Sequence, residues 1–154
     1  MEAPLIRAAR PSERLELEQL QRRASLANAG DRDALLAHPD AIQLGIEQIT
    51  RGRVFVSEYK GEIVGFAATE PRADGDSELD AMFVEPRMQR RGIGKTLVDH
   101  CAAVSRKEGA THLHVVGNPH AEGFYLACGF EVIGTTQTRF GPGLLMRRSV
   151  RLLR

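Results

Sequence analysis

The segment Gln89-Arg90-Arg91-Gly92-Ile93-Gly94 follows an apolar, strand-like run from Leu79 to Val84 and leads into a pattern of apolar residues at helical spacing. A glycine-rich turn at the start of a helix is suited to anions, because the first backbone N–H groups have no partner within the helix and the helix dipole adds positive potential. Gly92 and Gly94 carry no Cβ atom that would block a phosphate. Four cationic residues flank the turn: Arg87, Arg90, Arg91 and Lys95. The segment therefore predicts a pyrophosphate-binding loop.

Two nucleotide-binding motifs share parts of this pattern. The dinucleotide fingerprint G-x-G-x-x-G, started at Gly92, would need glycine or alanine where Leu97 stands. The P-loop ending is present as Gly94-Lys95-Thr96, but the first glycine of that motif would fall at Gln89. The later apolar strand also ends in Gly117-Asn118, without the aspartate that a metal-bound nucleotide requires. A P-loop nucleotide binder therefore stays a distant third interpretation.

A third motif fits the loop. Q-x-x-G-x-G after a strand that ends in Val84-Glu85-Pro86 resembles the acyl-CoA-binding motif of the GNAT superfamily of N-acetyltransferases. Downstream residues match the N…A..FY…GF pattern of that superfamily: Asn118, Ala121, Phe124, Tyr125, Gly129 and Phe130. The two motifs occur in the expected order and at the expected distance, and together they cover Leu79 to about Phe130.

The resemblance implies both a fold and an activity. The fold is α/β (α+β by some schemes), with a mixed, mostly antiparallel sheet, a central parallel strand pair splayed to hold CoA, and helices on both faces. The activity is transfer of an acetyl group from acetyl-CoA, as cosubstrate, to a small-molecule or peptidyl amine. A non-catalytic acyl-CoA-binding sensor or subunit is the alternative function.

Composition sets broader limits. The 154 residues suit a single GNAT-like domain spanning residues 1–154. A net charge of +1 favours neither nucleic acid nor membrane as a partner. No signal-peptide pattern or membrane-spanning run is present in the sequence, so we expect a cytoplasmic enzyme, and a homodimer is a possible assembly.

The periodicity predicts elements along the whole chain. Before the loop, it indicates strands at 5–8, 54–59, 63–69 and 77–84, helices after Ser12 as N-cap and at 33–38, and a helical turn that includes Ile42, Ile46 and Ile49. Lys60-Gly61 is expected to join a β-hairpin. After the loop, it indicates a helix from about Gly94 to Gly109, a parallel strand at 111–116, a helix at 120–128, and two closing strands around Gly141-Pro142-Gly143.

The resemblance also implies which residues bind the cosubstrate. Backbone groups of Met82, Phe83 and Val84 are expected to pair with the pantetheine arm and the thioester. The pyrophosphate is expected on the loop formed by Gln89, Arg90, Arg91, Gly92, Ile93, Gly94 and Lys95. The side-chain amide of Asn118 can reach the same arm, although a role as the turn residue of Gly117-Asn118-Pro119 is equally open.

Three residues are candidates for the chemistry. By resemblance, the hydroxyl of Tyr125 donates a proton to the departing thiolate, and a phenol suits this role because its pKa of about 10 is close to that of a thiol. Glu78 and Asp80 share one face of a strand, so either is a candidate base for the amine proton, although a solvated sheet edge explains them as well.

Metal and covalent mechanisms are less well supported. His112 and His114 alternate on one strand, but no third ligand lies near them in the sequence, so no metal is predicted. Cys101 and Cys128 have no histidine–acid partner that spacing can identify, and both are expected to be buried free thiols. Direct attack in a ternary complex is therefore the expected mechanism.

Overall fold

The computed structural model describes residues 3–151. The strands in that range are β1 Leu5–Ala8, β2 Val54–Tyr59, β3 Glu62–Pro71, β4 Ser77–Val84, β5 His112–Gly117, β6 Glu131–Thr138 and β7 Gly141–Ser149. The α-helices are α1 Arg14–Ala27, α2 Ala29–Ala37, α3 Ile46–Thr50, α4 Ile93–Lys107 and α5 Glu122–Ala127. Among the described residues, no helix is both long and apolar enough to cross a bilayer.

The seven strands of residues 3–151 form one mixed sheet in the order β1-β2-β3-β4-β5-β7-β6. Antiparallel pairing joins β1 to β2, β2 to β3, β5 to β7 and β6 to β7. β4 runs parallel to β5, with Ser77 opposite Leu113 and Glu78 opposite His114. Because α4 connects these two strands, the parallel direction is the one that a strand–helix–strand crossover produces. The predicted mixed sheet with one parallel pair is confirmed.

The chain divides into two compact units. The N-terminal unit comprises the chain up to Ala68 together with Ala81–Leu97. Its core is a cluster of buried apolar side chains from α1, α3, β2, β3 and the residues next to β1 and α3. The cluster consists of Ala9, Leu17, Leu20, Leu44, Ile49, Val54, Val56, Phe66 and Ala68. Leu17 and Leu20 lie three positions apart on α1 and share its apolar face, which explains why that face is inside.

The C-terminal unit comprises Thr69–Asp80 and the chain from Val98 onward. Its buried side chains include Cys101, Leu113, Val115 and Met146. Val115 lies opposite Met146 in the β5–β7 pair, so these two residues share one face of the sheet. The prediction of a single domain over residues 1–154 remains a prediction.

The turn between β2 and β3 was predicted correctly. Lys60 and Gly61 both have positive φ, of 52° and 80°. Two consecutive left-handed residues are the signature of a type I′ turn, whose twist matches that of a two-stranded hairpin. The pairing of Tyr59 with Glu62 confirms the two-residue loop.

Several predicted boundaries before the parallel strands were wrong. Ser12 does not cap α1, because a 3-10 turn at Pro11–Glu13 comes first and Glu13 accepts a hydrogen bond from the Arg10 N–H at 2.8 Å. A second helix begins at Ala29 rather than at residue 33, because the Asn28 side chain accepts from the Gly30 N–H and caps it.

The three isoleucines of the predicted helical turn do not share a buried helical face. Ile42 precedes α3 and is buried, Ile46 is 45% exposed, and Ile49 is buried. The short helix therefore starts four residues later than the spacing suggested.

The closing hairpin turns earlier than predicted. Gly141-Pro142-Gly143 lies inside β7, and the turn is Arg139-Phe140. The Thr138 hydroxyl fixes this turn, because it donates to the Gly141 carbonyl at 2.7 Å and accepts from the Phe140 N–H at 3.1 Å. Glycine and proline therefore marked a position next to the turn rather than the turn itself.

Candidate active site

The predicted pyrophosphate loop belongs to the N-terminal unit and leads directly into α4. A 3-10 turn at Pro86–Met88 is followed by two left-handed residues, Arg90 at φ 64° and Gly92 at φ 80°. The Thr96 N–H bonds to the Gly92 carbonyl at 3.1 Å and thereby closes the first turn of the helix. The N–H groups that precede Thr96 consequently point out of the helix end, as an anion site requires.

The loop presents an exposed, cationic surface. Four of its predicted binding residues are exposed (Gln89, Arg90, Arg91 and Gly92), and Lys95 on the first turn is exposed as well. A Cβ atom on Gly92 would meet no heavy atom within 4 Å, so the space in front of this residue is open. Arg87, in the turn before the loop, forms an ion pair with Glu62 at 2.7 Å.

Ile93 and Gly94 are buried and anchor the start of α4. A close contact with β3 makes this possible. A Cβ atom on Gly65 would lie 3.1 Å from the Phe83 carbonyl oxygen, 3.1 Å from Leu97 and 3.2 Å from Ile93. Glycine at position 65 therefore allows β3 to approach both β4 and the first turn of α4.

The end of β4 contains the three residues expected to contact the pantetheine arm. Met82, Phe83 and Val84 are half-buried. The ring of Phe83 packs against Phe66, with 5.7 Å between the ring centroids. Phe83 thus directs its side chain into the core of the N-terminal unit, which leaves only its backbone for a role in binding.

A buried carboxylate precedes the loop. Glu85, 8% exposed, receives two hydrogen bonds from the guanidinium of Arg23 on α1, at 2.9 and 2.8 Å. The bonds from Arg23 lower the pKa of Glu85, against burial, which raises it. The Glu85 N–H donates to the Val64 carbonyl at 2.8 Å. The residue between β4 and the loop is therefore fixed through both its side chain and its backbone.

In the C-terminal unit, Tyr125 lies on α5 and is 9% exposed. Its ring packs edge-on against Phe124 and Phe130, at centroid distances of 5.2 and 5.4 Å. A Cβ atom on Gly117 would approach the ring to 3.4 Å, so the tyrosine lies against the end of β5. Both aromatic residues of α5 pack here, and Tyr125 is the more buried of the two.

The C-terminal end of α5 is held by Arg148 of β7. Its guanidinium donates to the Cys128 carbonyl at 3.1 Å and to Asp99 of α4 at 2.7 Å. Gly129 follows at φ 90° and ends the helix. The helix that carries Tyr125 is therefore fixed at this end within the C-terminal unit.

Asn118 follows β5, and its side-chain oxygen accepts a hydrogen bond from the His120 N–H at 2.9 Å. This bond caps the 3-10 turn at Pro119–Ala121 that leads into α5. The turn role that the sequence left open is thus present in the structure. A contact of its amide group with the pantetheine arm remains a prediction.

Glu78 and Asp80 lie on β4 in the C-terminal unit. The alternation is as predicted, because Ser77 and Leu79 are buried whereas Glu78 is half-buried and Asp80 is exposed. Glu78 lies 3.8 Å from the guanidinium of Arg72. The structure does not favour one of these carboxylates as the base.

Asp76, immediately before β4, joins the start of the two parallel strands. One carboxylate oxygen accepts from the Thr111 N–H at 2.9 Å, the His112 N–H at 3.1 Å and the Thr111 hydroxyl at 3.0 Å, and the other contacts His114 Nε2 at 2.8 Å. Burial raises the pKa of Asp76, but the bonds from His114, Thr111 and His112 outweigh it and hold the pKa well below its ordinary value. We call this arrangement the Asp76 latch.

Carboxylates lie close to His114 in the structure, although no third ligand lies near His112 and His114 in the sequence. Asp74, Asp76 and His114 offer ligand atoms that all lie within 4.8 Å of one another, so two carboxylates accompany one of the two histidines. However, both oxygens of Asp76 already accept hydrogen bonds in the latch, and Asp74 lies 3.2 Å from Arg72. The absence of a metal remains a prediction.

Both cysteines are buried and free, as expected. Burial raises the pKa of the Cys101 thiol to about 12. A thiol with that pKa is protonated at neutral pH and is a poor nucleophile. Cys101 is therefore unsuited to forming an acyl-enzyme.

Two of the residues described above, Arg23 and Asp76, were not predicted from the sequence. Arg23 has an ordinary position on the polar face of a helix, and its partner is 62 positions away. Asp76 resembled a loop residue, and its partners are 35 to 38 positions away. Only the charge of Glu85, between apolar Val84 and Pro86, marked an unusual position that sequence could have flagged.

The chain is similar in sequence to several known proteins. The model of the acetyltransferase (GNAT) family matches residues 15–130. A peptidyl-lysine N-acetyltransferase, YjaB of Salmonella typhimurium, is 39% identical over 59 residues, which are 38% of this chain and 39% of that protein. A 5-NmdU N-acetyltransferase of Pseudomonas phage PaMx11 is 25% identical over 143 residues, covering 92% of this chain and 96% of that protein.

A solved structure shows the same fold. The PaiA N-acetyltransferase of Thermoplasma acidophilum, crystallised in complex with coenzyme A, superposes with a TM-score of 0.78. The match covers 96% of this chain and 99% of that chain at 18% identity. At this identity the likeness concerns the fold alone.

Proposed function

The chain belongs to the acetyltransferase (GNAT) family, and on this premise we propose that it transfers the acetyl group of acetyl-CoA to a primary amine by direct attack in a ternary complex. Two relatives are N-acetyltransferases, one of peptidyl-lysine and one of 5-NmdU, which supports an amine as the acceptor. The acceptor class is accordingly a small-molecule or peptidyl amine.

The observation that carries the proposal is the loop before α4. Arg90 and Gly92 adopt left-handed conformations that turn the chain at the start of a 15-residue helix, and the adjoining residues are exposed and cationic. Backbone donors, a helix dipole and fixed positive charges are the features that bind a diphosphate. We assign the pyrophosphate of acetyl-CoA to residues 89–95.

The reaction requires a neutral amine. An alkyl amine has a pKa of about 10 and is mostly protonated at neutral pH, so a base must accept its proton. In this proposal, Glu78 or Asp80 accepts that proton through a water molecule. The amine nitrogen then attacks the thioester carbonyl carbon, and backbone N–H groups at Met82–Val84 stabilise the developing oxyanion.

Tyr125 completes the reaction in this proposal. When the tetrahedral intermediate collapses, the C–S bond breaks and the thiolate of CoA departs with the electron pair. The Tyr125 hydroxyl supplies the proton, and the resulting phenolate regains one from solvent or from the released amine proton. Two observations support this role: Tyr125 occupies the tyrosine position of the family's FY pair, and it packs against the end of β5 on a helix fixed by Arg148.

A screen of primary amines tests the activity. Polyamines, aminoglycosides, free amino acids and lysine-containing peptides would be incubated with acetyl-CoA while free thiol release is monitored. We expect thiol release that depends on at least one amine. Tight CoA binding with no amine-dependent thiol release would favour the non-catalytic sensor, and ATP binding without CoA binding would favour the P-loop interpretation.

Replacement of Tyr125 by phenylalanine tests the proton donor. Tyr125→Phe keeps the ring contacts with Phe124 and Phe130, so CoA affinity and thermal stability should change little. We expect kcat to fall by roughly 10²–10⁴-fold, because the lost interaction forms as the thiolate departs. A thioester whose leaving thiol is more acidic should lose less. Wild-type turnover in this variant, under conditions where chemistry limits the rate, would assign Tyr125 a packing role only.

A further inference from the structure

The ion pair between Arg23 and Glu85 has no part in the reaction described above. We infer that Arg23 is a positioning residue for the acyl-CoA site: through Glu85, it holds the pyrophosphate loop in the position that binds acetyl-CoA. This inference rests on the proposed function, because it assigns residues 89–95 to the pyrophosphate. Its basis is the set of contacts that fix residue 85 within the N-terminal unit.

The contacts form a continuous path from α1 to the loop. Arg23 donates two parallel hydrogen bonds to the Glu85 carboxylate, the geometry that fixes both groups in direction as well as distance. The Glu85 N–H is bonded to the Val64 carbonyl, and the Glu85 carbonyl accepts from the Met88 N–H at 2.8 Å. The last bond defines the 3-10 turn that delivers the chain to Gln89. A shift of Glu85 would therefore displace the first residues of the loop.

The negative charge of Glu85 gives a second reason why Arg23 is needed for binding. Glu85 places a buried negative charge at the entrance to a loop whose proposed ligand is a diphosphate. Arg23 and Arg87 both contribute positive charge at this carboxylate, but only Arg23 is hydrogen-bonded to it, whereas Arg87 is paired with Glu62. Loss of Arg23 would leave a buried carboxylate without its hydrogen-bonded cation, and the carboxylate would then repel the anionic ligand.

Removal of the pair as a whole should do much less harm than removal of one partner. Buried ion pairs are often replaceable by neutral groups, whereas a single buried charge is costly. The inference therefore predicts a specific pattern: the affinity for CoA falls most in Arg23→Met, less in Glu85→Gln, and little in the double variant. If the pair only stabilises the fold, the single variants should lose thermal stability without losing affinity for CoA.

The experiment compares ligands with and without the pyrophosphate. Calorimetry measures the Kd of CoA for wild type, Arg23→Met, Glu85→Gln, the double variant and the control Glu62→Gln, which removes the exposed ion pair with Arg87 on the same loop. Saturation-transfer NMR measures binding of S-acetyl-pantetheine, which lacks the pyrophosphate, to the same proteins. Thermal unfolding establishes which variants are folded.

We expect the Kd of CoA to rise on the order of tenfold to a hundredfold in Arg23→Met, the range for displaced binding groups. The double variant should recover most of that loss, Glu62→Gln should match wild type, and binding of S-acetyl-pantetheine should be equal in all five proteins. An unchanged Kd in folded Arg23→Met, equal losses for both ligands, or additive losses in the double variant would overturn the inference.

Two further outcomes separate this inference from the proposed function. If Arg23→Met does not fold, the double variant and Glu85→Gln decide, because neither leaves a buried unpaired carboxylate: a double variant that binds CoA tenfold or more weakly than Glu85→Gln would show that Arg23 does not act through Glu85, and would overturn the inference. If wild type does not bind CoA, or binds it no better than S-acetyl-pantetheine, then the pyrophosphate assignment itself is wrong and the inference falls with it.

Discussion

Replacement of Asp76 should reveal how strongly the latch stabilises the start of the parallel strands. Asp76→Ala removes the acceptor for the N–H groups of Thr111 and His112. Thr111 and His112 are half-buried, so each N–H left without its acceptor costs at most about 1–3 kcal/mol, and the two together cost at most roughly 6 kcal/mol. The Thr111 hydroxyl and the His114 ring also lose a partner, but each can turn toward water or another group.

Asp76→Asn provides the milder, matched change. An asparagine keeps one oxygen for the Thr111 and His112 N–H groups, and its amide can donate to His114 Nε2 in the other tautomer. Only the added strength of a charged acceptor is lost, about 1–2 kcal/mol. Urea unfolding followed by circular dichroism at neutral pH would give both free energies. A loss below about 1 kcal/mol in Asp76→Ala would refute the reasoning.

The pH dependence gives a second check on the latch. The folded-state pKa of Asp76 is lowered, so its contribution is fully present above the unfolded-state pKa of about 3.9 and is lost as the pH falls toward the folded-state value. The difference in unfolding free energy between wild type and Asp76→Asn should therefore shrink as the pH falls below about 4. A difference that stays the same down to pH 3 would contradict the assigned charge.

Two glycines, each with a matched control, give further predictions. Gly92→Val should weaken CoA binding strongly, because the side chain would fill the open space before the loop. Gly61→Val is the control, because Gly61 has the same φ of 80° and no neighbour within 4 Å, so this variant should lose similar stability but no affinity for CoA. Calorimetry and thermal unfolding of both variants test this, and equal affinities would disprove it. Gly65→Ala should lower the free energy of unfolding by about 1–3 kcal/mol, because the new Cβ would lie 3.1 Å from the Phe83 carbonyl oxygen. The control Gly45→Ala has no such contact and should leave the free energy from urea unfolding unchanged. An unchanged value in Gly65→Ala would show that β3 and β4 can separate freely.

The sequence predicted the elements whose cause is local. The Lys60-Gly61 turn, β4 and α4 follow from turn chemistry and from the spacing of apolar residues, and the family motif identified the loop between the last two. The errors arose where two local signals competed. Asn28 both ends one helix and caps the next, and the Thr138 hydroxyl sets a turn just before the glycine-rich segment that appeared to contain it.

The candidate site was predictable in part for the same reason. Residues of the loop and Tyr125 belong to contiguous motifs, whereas the partners of Glu85 and Asp76 are brought close only by folding. Ion pairs and hydrogen bonds over such separations leave no periodic pattern in a single sequence. The same limit explains why two aspartates near His114 were not recognised as its neighbours.

The left-handed conformation of Arg90, in the proposed pyrophosphate loop, has a consequence for directed evolution. A non-glycine residue at φ 64° costs the folded state on the order of 1 kcal/mol, which glycine or asparagine would largely recover. A library randomised at position 90 and sorted by thermal tolerance alone should therefore drift toward Gly and Asn, whereas sorting by acetyl transfer should keep the cation. Lys60, at φ 52° in the β2–β3 turn, offers a place where the same gain carries no such penalty. Substitutions that aim at higher thermal stability should therefore be made at residue 60 and not at residue 90.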